Sequence, residues 1–158
     1  MRQFVTSVLV IGTVTSIALA AQASSAGKTR ISACSLLPAD LVVKVGGITP
    51  QMAKALPPRE EASGPNGSEC NFGQIRLLVD PVVGSGASRQ PPGKGWQPLS
   101  GVGDTAFYRA NGGTFAEIVA WTAAHHFFLS FTVPTGSSVD ATKPKAIELS
   151  QAITPKLR

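Results

Sequence analysis

The only histidines of this chain, His125 and His126, are adjacent and are the first residues to consider for chemistry. Imidazole is the usual acid–base group, and a common metal ligand, near neutral pH. Adjacent residues of a strand point to opposite faces, so one metal ion cannot readily bind both rings, and no Cys, Asp or Glu lies nearby in the sequence. The pattern predicts histidines at a strand end, with no metal site and no catalytic residue. A hydrolase built around His125 or His126 is the alternative.

Other catalytic patterns lack the context that they need. The segment from Gly101 to Ala106 spells Gly-x-Gly-x-x-Ala, but a dinucleotide fingerprint joins a strand to a helix. Here Phe107 and Tyr108 indicate a strand directly after it. The serines stand in no recognisable nucleophile motif. The sequence therefore predicts no cofactor and favours a binding protein over an enzyme.

A long Gly/Pro-rich loop over residues 84–98 contains the best candidate for ligand contact, Trp96. An aromatic side chain in such a loop can hold a ligand or partner, and the loop also carries the cations Arg89 and Lys94. With His125, these residues form the predicted contact set. The alternative is that Trp96 pins the loop onto the core, because burial of an indole is favourable in itself.

The two cysteines, Cys34 and Cys70, are the only ones in the chain. An isolated pair in an exported protein is expected to form a disulfide, and a redox pair would normally have Cys-x-x-Cys spacing. Ile31-Ser32-Ala33-Cys34 is similar to a lipobox, but Lys28 and Arg30 separate it from the apolar run before it. A structural disulfide is expected, with lipid attachment to Cys34 as the alternative.

The N-terminus has the three parts of a Sec signal. Arg2 gives a positive start, an apolar run extends from Phe4 to Ala20, and Ala21-Gln22-Ala23 is a cleavage site. Residues 1–23 are therefore predicted to be a removable signal peptide, with an uncleaved anchor as the alternative. The expected location is the periplasm or the medium, and a lipid-anchored envelope protein is the second choice.

The charge is mildly basic and evenly spread. The chain has 158 residues with 14 basic and 9 acidic side chains, a net charge of +5. A nucleic-acid surface needs clustered cations with base-stacking aromatics, so nucleic acid is excluded as the expected partner. A weak attraction to an anionic membrane surface is compatible with this charge.

Residue periodicity predicts an α+β fold. We expect a polar leader over residues 24–33, then one domain over 34–158 with an antiparallel sheet of about four to six strands. A short N-terminal helix within 36–46 and a C-terminal helix over 142–153 flank the sheet. The predicted strands are 69–79 with a β-bulge at Gly73, a hairpin of 106–109 and 114–121 around Asn111-Gly112-Gly113, and 126–133.

The order of landmarks resembles an uncharacterised family of bacterial cell-envelope proteins and lipoproteins. The likeness rests on Cys34-Ser35-Leu36-Leu37, on Cys70 before Phe72, and on the motif from Val102 to Tyr108. It implies an envelope location, a Cys34–Cys70 pairing and an α+β fold, with no reaction or ligand. The expected function is a non-enzymatic domain that binds a protein, a peptide or a small envelope ligand, and a structural envelope lipoprotein is a further alternative.

Overall fold

In the part of the chain that the structure describes, seven antiparallel strands form one sheet, with helices against one of its faces. The computed structural model describes residues 30–82 and 89–158. The predicted signal peptide, residues 24–29 of the predicted leader and residues 84–88 of the predicted loop therefore lie outside the described residues. The helices are α1 (Ala39–Gly46), α2 (Pro50–Ala55) and α3 (Val139–Ile153), and the strands are β1 (Arg59–Ser63), β2 (Gly67–Phe72), β3 (Ile75–Pro81), β4 (Gln97–Leu99), β5 (Thr105–Asn111), β6 (Phe115–Trp121) and β7 (His125–Thr132). Short 3₁₀ turns at Cys34–Leu36 and Thr154–Leu157 precede α1 and follow α3.

The strand order is β1-β2-β3-β7-β6-β5-β4. Two meanders, β1 to β3 and β4 to β7, are thus joined by the pairing of β3 with β7. The general α+β prediction is confirmed, but the prediction of four to six strands is too low. The missed strands, β1 and β4, are the two edges of the sheet. Edge strands are often short, charged or proline-containing, so Arg59-Glu60-Glu61 and the three residues around Pro98 do not show the apolar alternation of a strand.

The predicted β-bulge at Gly73 is wrong, because the chain reverses there. Phe72 pairs with Ile75 across a two-residue turn of Gly73 and Gln74. Gly73 has a φ of 59° and Gln74 has a negative φ, the pattern of a type II′ hairpin turn with Gly in its first position. The reversal also explains the change of parity in the sequence, since Cys70 then lies opposite Leu77 on one face.

The helices differ from prediction in their boundaries. In α1 the buried side chains include Val42 and Val45, whereas Leu41 is only partly buried. The C-terminal helix α3 begins at Val139, before the predicted start, because the Ser138 hydroxyl accepts a hydrogen bond from the Ala141 amide (3.1 Å) and caps it. Pro144 consequently lies inside the helix.

The core fills the space between the inner face of the sheet and the helices. Helix α3 packs against β6 and β7, and α1 packs against α3. The fully buried side chains include Phe72, Phe127, Leu129, Phe131, Ile118, Leu149 and Ile153. Leu129 and Phe131 alternate with Phe128 and Ser130, as predicted for the strand that forms β7.

A disulfide joins the N-terminal 3₁₀ turn to β2. The Cys34 and Cys70 sulfurs are 2.02 Å apart, which confirms the predicted bond. A sulfur in a disulfide cannot also carry a thioether-linked lipid, so this bond is incompatible with lipid attachment to Cys34. The preceding residue, Ala33, is fully buried, and its amide donates a hydrogen bond to the Ser68 hydroxyl (3.0 Å). The last residue of the predicted leader is therefore part of the packed domain.

Candidate functional site

The outer face of the sheet, opposite α1 and α3, carries the candidate site. The register aligns three rows of outward side chains across β5, β6, β7 and β3. The first row is Arg109, Glu117, Ser130 and Arg76; the second is Phe107, Val119, Phe128 and Leu78; the third is Thr105, Trp121, His126 and Asp80. One row is polar, the next is apolar, and the last is mixed. Such a face combines aromatic contact area with hydrogen-bonding groups, as ligand sites do.

A groove of about 370 Å³ lies on this face, at the end of the sheet that holds the β2–β3 turn. Phe115 and Phe128 supply its aromatic surface, and Asn71, Ser130 and Thr132 supply amide and hydroxyl groups. Arg76 and Glu117 also line it. Phe115 and Phe128 come from neighbouring strands, so the pairing of β6 with β7 fixes their relative positions.

Both charged side chains of this groove are already paired. Glu117 is only 6% exposed, and its Oε2 accepts hydrogen bonds from Arg109 Nε (2.8 Å) and Nη2 (2.5 Å). Asn111 donates to Oε1 of the same carboxylate (3.1 Å). These three bonds compensate for the desolvation of a buried carboxylate.

The second ion pair joins Arg76 to Glu69. The guanidinium donates two hydrogen bonds to the Glu69 carboxylate, at 2.8 and 2.7 Å, and Asn71 donates a third (2.9 Å). The bonds from Arg76 lower the pKa of Glu69, and Glu69 in turn raises the pKa of Arg76. An ionic ligand would therefore have to compete with an existing partner at either charge of the groove.

Trp96 packs on the outer face and not in the core. Its ring meets Phe128 edge-on at 6.4 Å between centroids, and the Arg109 guanidinium lies 4.6 Å from its centroid. The Nε1 group is buried and has no hydrogen-bond acceptor among residues 30–82 and 89–158. Trp96 thus pins its loop beside the groove and supports both Phe128 and the Arg109–Glu117 pair.

The other predicted contact residues are dispersed. Lys94 is exposed in the same loop as Trp96. Arg89 lies 3.5 Å from the Asp104 carboxylate, at the opposite end of β5 from Arg109. His125 is on the inner side, where Nδ1 is 3.2 Å from the Leu157 carbonyl oxygen and helps to hold the C-terminal turn. The structure therefore brings Trp96 to the groove but does not bring Arg89 or His125 there.

His126 lies in the third row of the outer face. Its Nε2 is 3.7 Å from Asp80 Oδ2, and its ring stacks on Trp121 at 6.2 Å between centroids. Within the described parts of the chain, no Ser, Thr or Cys side chain donates a hydrogen bond to this ring, and no cluster of three or more potential metal ligands occurs. The arrangement has the orienting carboxylate of a catalytic pair without an adjacent nucleophile.

The glycines around Val102 have a structural role. They lie in the loop between β4 and β5, which pair with each other as antiparallel neighbours. Gly103 has a φ of 60°, and a Cβ at this position would lie 2.5 Å from the Trp121 carbonyl oxygen. The Asp104 amide donates to the same oxygen (2.7 Å). The backbone of this loop therefore packs closely on Trp121 of β6, which requires glycine. The loop lies between two strands, so it lacks the strand-to-helix context of a dinucleotide site.

No family model, curated protein or solved structure matches this chain. The site therefore has to be interpreted from its own geometry. Sequence reasoning missed Phe115, Glu117 and Arg76 as site residues, although the sequence of β6 contains a pattern that indicates a covered outer face. Its residues from Phe115 to Trp121 are apolar on both faces except for Glu117, and such strands are usually covered on both sides.

The disulfide indicates an oxidising, extracytoplasmic environment, because such bonds are rare in reducing compartments. Within the part of the chain that the structure describes, no helix has the length and apolar character needed to cross a bilayer.

Proposed function

We propose that this protein is an exported binding domain that captures a ligand in the outer-face groove without chemical turnover. The observation that carries this proposal is the groove itself, which combines two aromatic rings with amide and hydroxyl groups. Periplasmic or secreted location belongs to the same proposal, supported by the N-terminal signal pattern and the disulfide. Membership of the envelope family that the sequence resembles is likewise a proposal.

The chemistry of the groove favours an uncharged polar ligand with a flat apolar face. Phe115 and Phe128 offer ring surface for stacking, while Asn71, Ser130 and Thr132 can exchange hydrogen bonds with hydroxyl or amide groups. The charges of Arg76 and Glu117 are neutralised within the protein. A neutral oligosaccharide combines apolar ring faces with hydroxyl groups. It also has no charge that the groove would have to neutralise.

The test uses a neutral N-acetylglucosamine tetramer as the probe, titrated into the full chain while backbone amide NMR shifts are recorded. We expect shifts at Phe115, Phe128 and Ser130. Phe115→Leu keeps the apolar surface but removes the stacking ring, and it should weaken binding about tenfold, in line with the value of a good aromatic contact.

Phe107→Leu is the matched control, since Phe107 lies on the same face beside Trp121 and outside the lining of the groove. This variant should bind as the parent does. The choice of a saccharide fails if the tetramer produces no shifts in the groove while an uncharged peptide, such as tetra-alanine with an acetylated N-terminus and an amidated C-terminus, does. The groove proposal itself fails if the shifts of both probes lie elsewhere.

The hydrolase alternative has one observation in its favour, the approach of His126 to Asp80. If this pair acts as an acid–base unit, His126→Ala should abolish turnover of an ester or glycoside substrate while the protein stays folded. His125→Ala is a useful comparison, because that ring contacts the C-terminal turn instead. If the His126→Ala and His125→Ala variants both keep the activity of the parent, the hydrolase built on either histidine is eliminated.

Export is tested by the intact mass of the protein recovered from its host. A chain that begins at Ser24, with both cysteines alkylated only after reduction, is the expected result. A chain that still contains residues 1–23 would contradict cleavage, and a chain that begins at Cys34 with added acyl groups would contradict both the cleavage site and the disulfide.

A further inference from the structure

The short helix α2 and its C-cap carry two exposed hydrophobic side chains. Met52 is 46% exposed and Leu56 is 53% exposed, and they are the only large hydrophobic side chains classed as exposed in the described residues. Leu56 is the C-cap of α2, and its amide donates a hydrogen bond to the Met52 carbonyl oxygen (2.9 Å), so the two residues lie one turn apart at the end of the helix. Thr49 caps the helix through its hydroxyl, which accepts a hydrogen bond from the Met52 amide (3.2 Å), and this bond fixes the helix start.

Two grooves are lined in part by residues of α2 and its C-cap. The first, of about 460 Å³, lies between α1 and α2 and has Val43, Pro50 and Ala53 in its lining. The second, of about 240 Å³, includes Leu56 and Pro57. Apolar surface near α2 is therefore not limited to the two exposed side chains.

The charge around this surface is predominantly positive. Lys44 and Lys54 line the first groove, and Arg59 lines the second. The facing carboxylates are Asp40, in the first groove, and Glu148, whose Oε1 is 3.9 Å from Lys44 Nζ. Both members of the Lys44–Glu148 pair are more than half exposed, so the pair is weak and readily exchanged for another anion.

We infer that α2 docks on the surface of an anionic lipid bilayer. Met52 and Leu56 enter the boundary between headgroups and acyl chains, and Lys44, Lys54 and Arg59 contact lipid phosphates. Exposed apolar side chains beside basic ones are the combination that interfacial membrane contact requires. The groove beside Leu56 shares Asn71 and Gly73 with the outer-face groove, so docking would bring that site close to the membrane.

The experiment measures amide hydrogen exchange of the full chain with vesicles of phosphatidylcholine, with and without phosphatidylglycerol. A local readout is needed because the apolar segment from Phe4 to Ala20 would also bind vesicles if it is retained. We expect slower exchange over residues 50–56 with phosphatidylglycerol only, and reversal of this protection at high salt.

Three variants make the result decisive. Met52→Ser with Leu56→Ser should weaken the protection about tenfold, because exposed apolar area is no longer buried in the bilayer. Lys44→Glu with Lys54→Glu should weaken it at least as much, since each lysine near an anionic surface contributes about a fivefold change in binding. Lys156→Glu, an exposed charge at the C-terminus, is the control and should behave as the parent does.

Unchanged melting temperatures establish that these surface variants are folded. The inference is overturned if residues 50–56 exchange at the same rate with and without anionic vesicles. It is also overturned if the Lys44 and Lys54 variant keeps full protection, or if Lys156→Glu loses as much protection as that variant does.

Discussion

At the scale of single residues, Glu117 is the most constrained side chain of the candidate site. It is the one carboxylate in a strand that is otherwise apolar on both faces, and it is buried with three hydrogen bonds from Arg109 and Asn111. The Arg109–Glu117 ion pair thus fixes the polar row of side chains that borders the groove. The ring of Trp96 contacts the Arg109 guanidinium, 4.6 Å from its centroid, and so restrains the position of this partner.

Replacement of Arg109 by Met should destabilise the fold by about 2 to 3 kcal/mol, because it leaves the buried Glu117 carboxylate without its charged partner. Glu117→Gln should restore part of this loss in the double variant, since a neutral amide costs less to bury. Urea unfolding of the four proteins in this cycle measures the coupling. Additive effects of the two substitutions would contradict a direct interaction.

A second residue-scale prediction concerns acid stability. Hydrogen bonds from the hydroxyls of Ser32 and then Ser68 lower the pKa of Glu60, and Arg76 lowers that of Glu69. A carboxyl whose pKa is depressed by folding stabilises the protein above the unfolded value of 4.5. This stabilisation is lost as the pH falls through the folded-state pKa.

Glu60→Gln and Glu69→Gln should therefore be less stable than the parent at neutral pH. The differences should shrink as the pH falls below the unfolded pKa and vanish once the pH lies below the folded-state pKa of each parent carboxyl, because the parent carboxyls are then also protonated. Urea midpoints recorded across this range test the idea. Glu61→Gln is the control, because the Glu61 side chain makes none of these hydrogen bonds in the described structure. A difference that grows in acid would have the wrong sign.

At the scale of elements, tight turns decide how the strands meet. The Gly73-Gln74 turn places β2 and β3 side by side, and the Asn111-Gly112-Gly113 turn joins β5 to β6 as predicted. The loop before β5 requires a residue without a Cβ atom at position 103, since Gly103 packs directly on the Trp121 carbonyl. These glycines therefore do not all tolerate substitution equally.

Gly103→Ala should be clearly more damaging than Gly112→Ala. Both residues have a φ near 60°, so each alanine carries a left-handed penalty of about 1 to 2 kcal/mol. Only at Gly103 would the new Cβ also clash with backbone, which adds about 1 to 3 kcal/mol. Thermal unfolding of the two variants compares them directly. Equal losses would show that the close approach at Gly103 relaxes without cost.

At the scale of the whole molecule, the disulfide connects the N-terminal segment to the centre of one meander. Cys34 and Cys70 are 36 residues apart, and the loop between them contains α1, α2 and β1. The bond therefore restricts the unfolded chain over the region that also carries the proposed membrane-docking surface. The Ala33–Ser68 hydrogen bond lies beside it and fixes the same junction.

Loss of this bond, in a Cys34→Ala and Cys70→Ala double variant, should destabilise the protein by about 4 kcal/mol, as expected from the entropy of a loop of this length. Urea unfolding of the parent and the variant, with and without reductant, provides the measurement. The reductant should lower the midpoint of the parent and leave that of the variant unchanged. A reductant-sensitive variant would point to an effect unrelated to the disulfide.

The sequence by itself determined the features that depend on local chemistry. The alternation of Phe127, Leu129 and Phe131 defined an inner face, Asn-Gly-Gly defined a hairpin, and a single pair of cysteines defined a disulfide. Each of these rests on the preferences of a few neighbouring residues or on a single available partner. The edge strands were missed for the same reason, because their residues lack that local signal.

Only the tertiary structure decided the candidate site. The groove requires Phe115 of β6 and Phe128 of β7 to lie beside Arg76 of β3, and the β3–β7 pairing joins segments distant in sequence. Pairing between distant strands depends on the energy of the whole core, which no short pattern encodes. The same holds for Trp96, since its position on the outer face rather than in the core is set by contacts with Phe128 and Arg109.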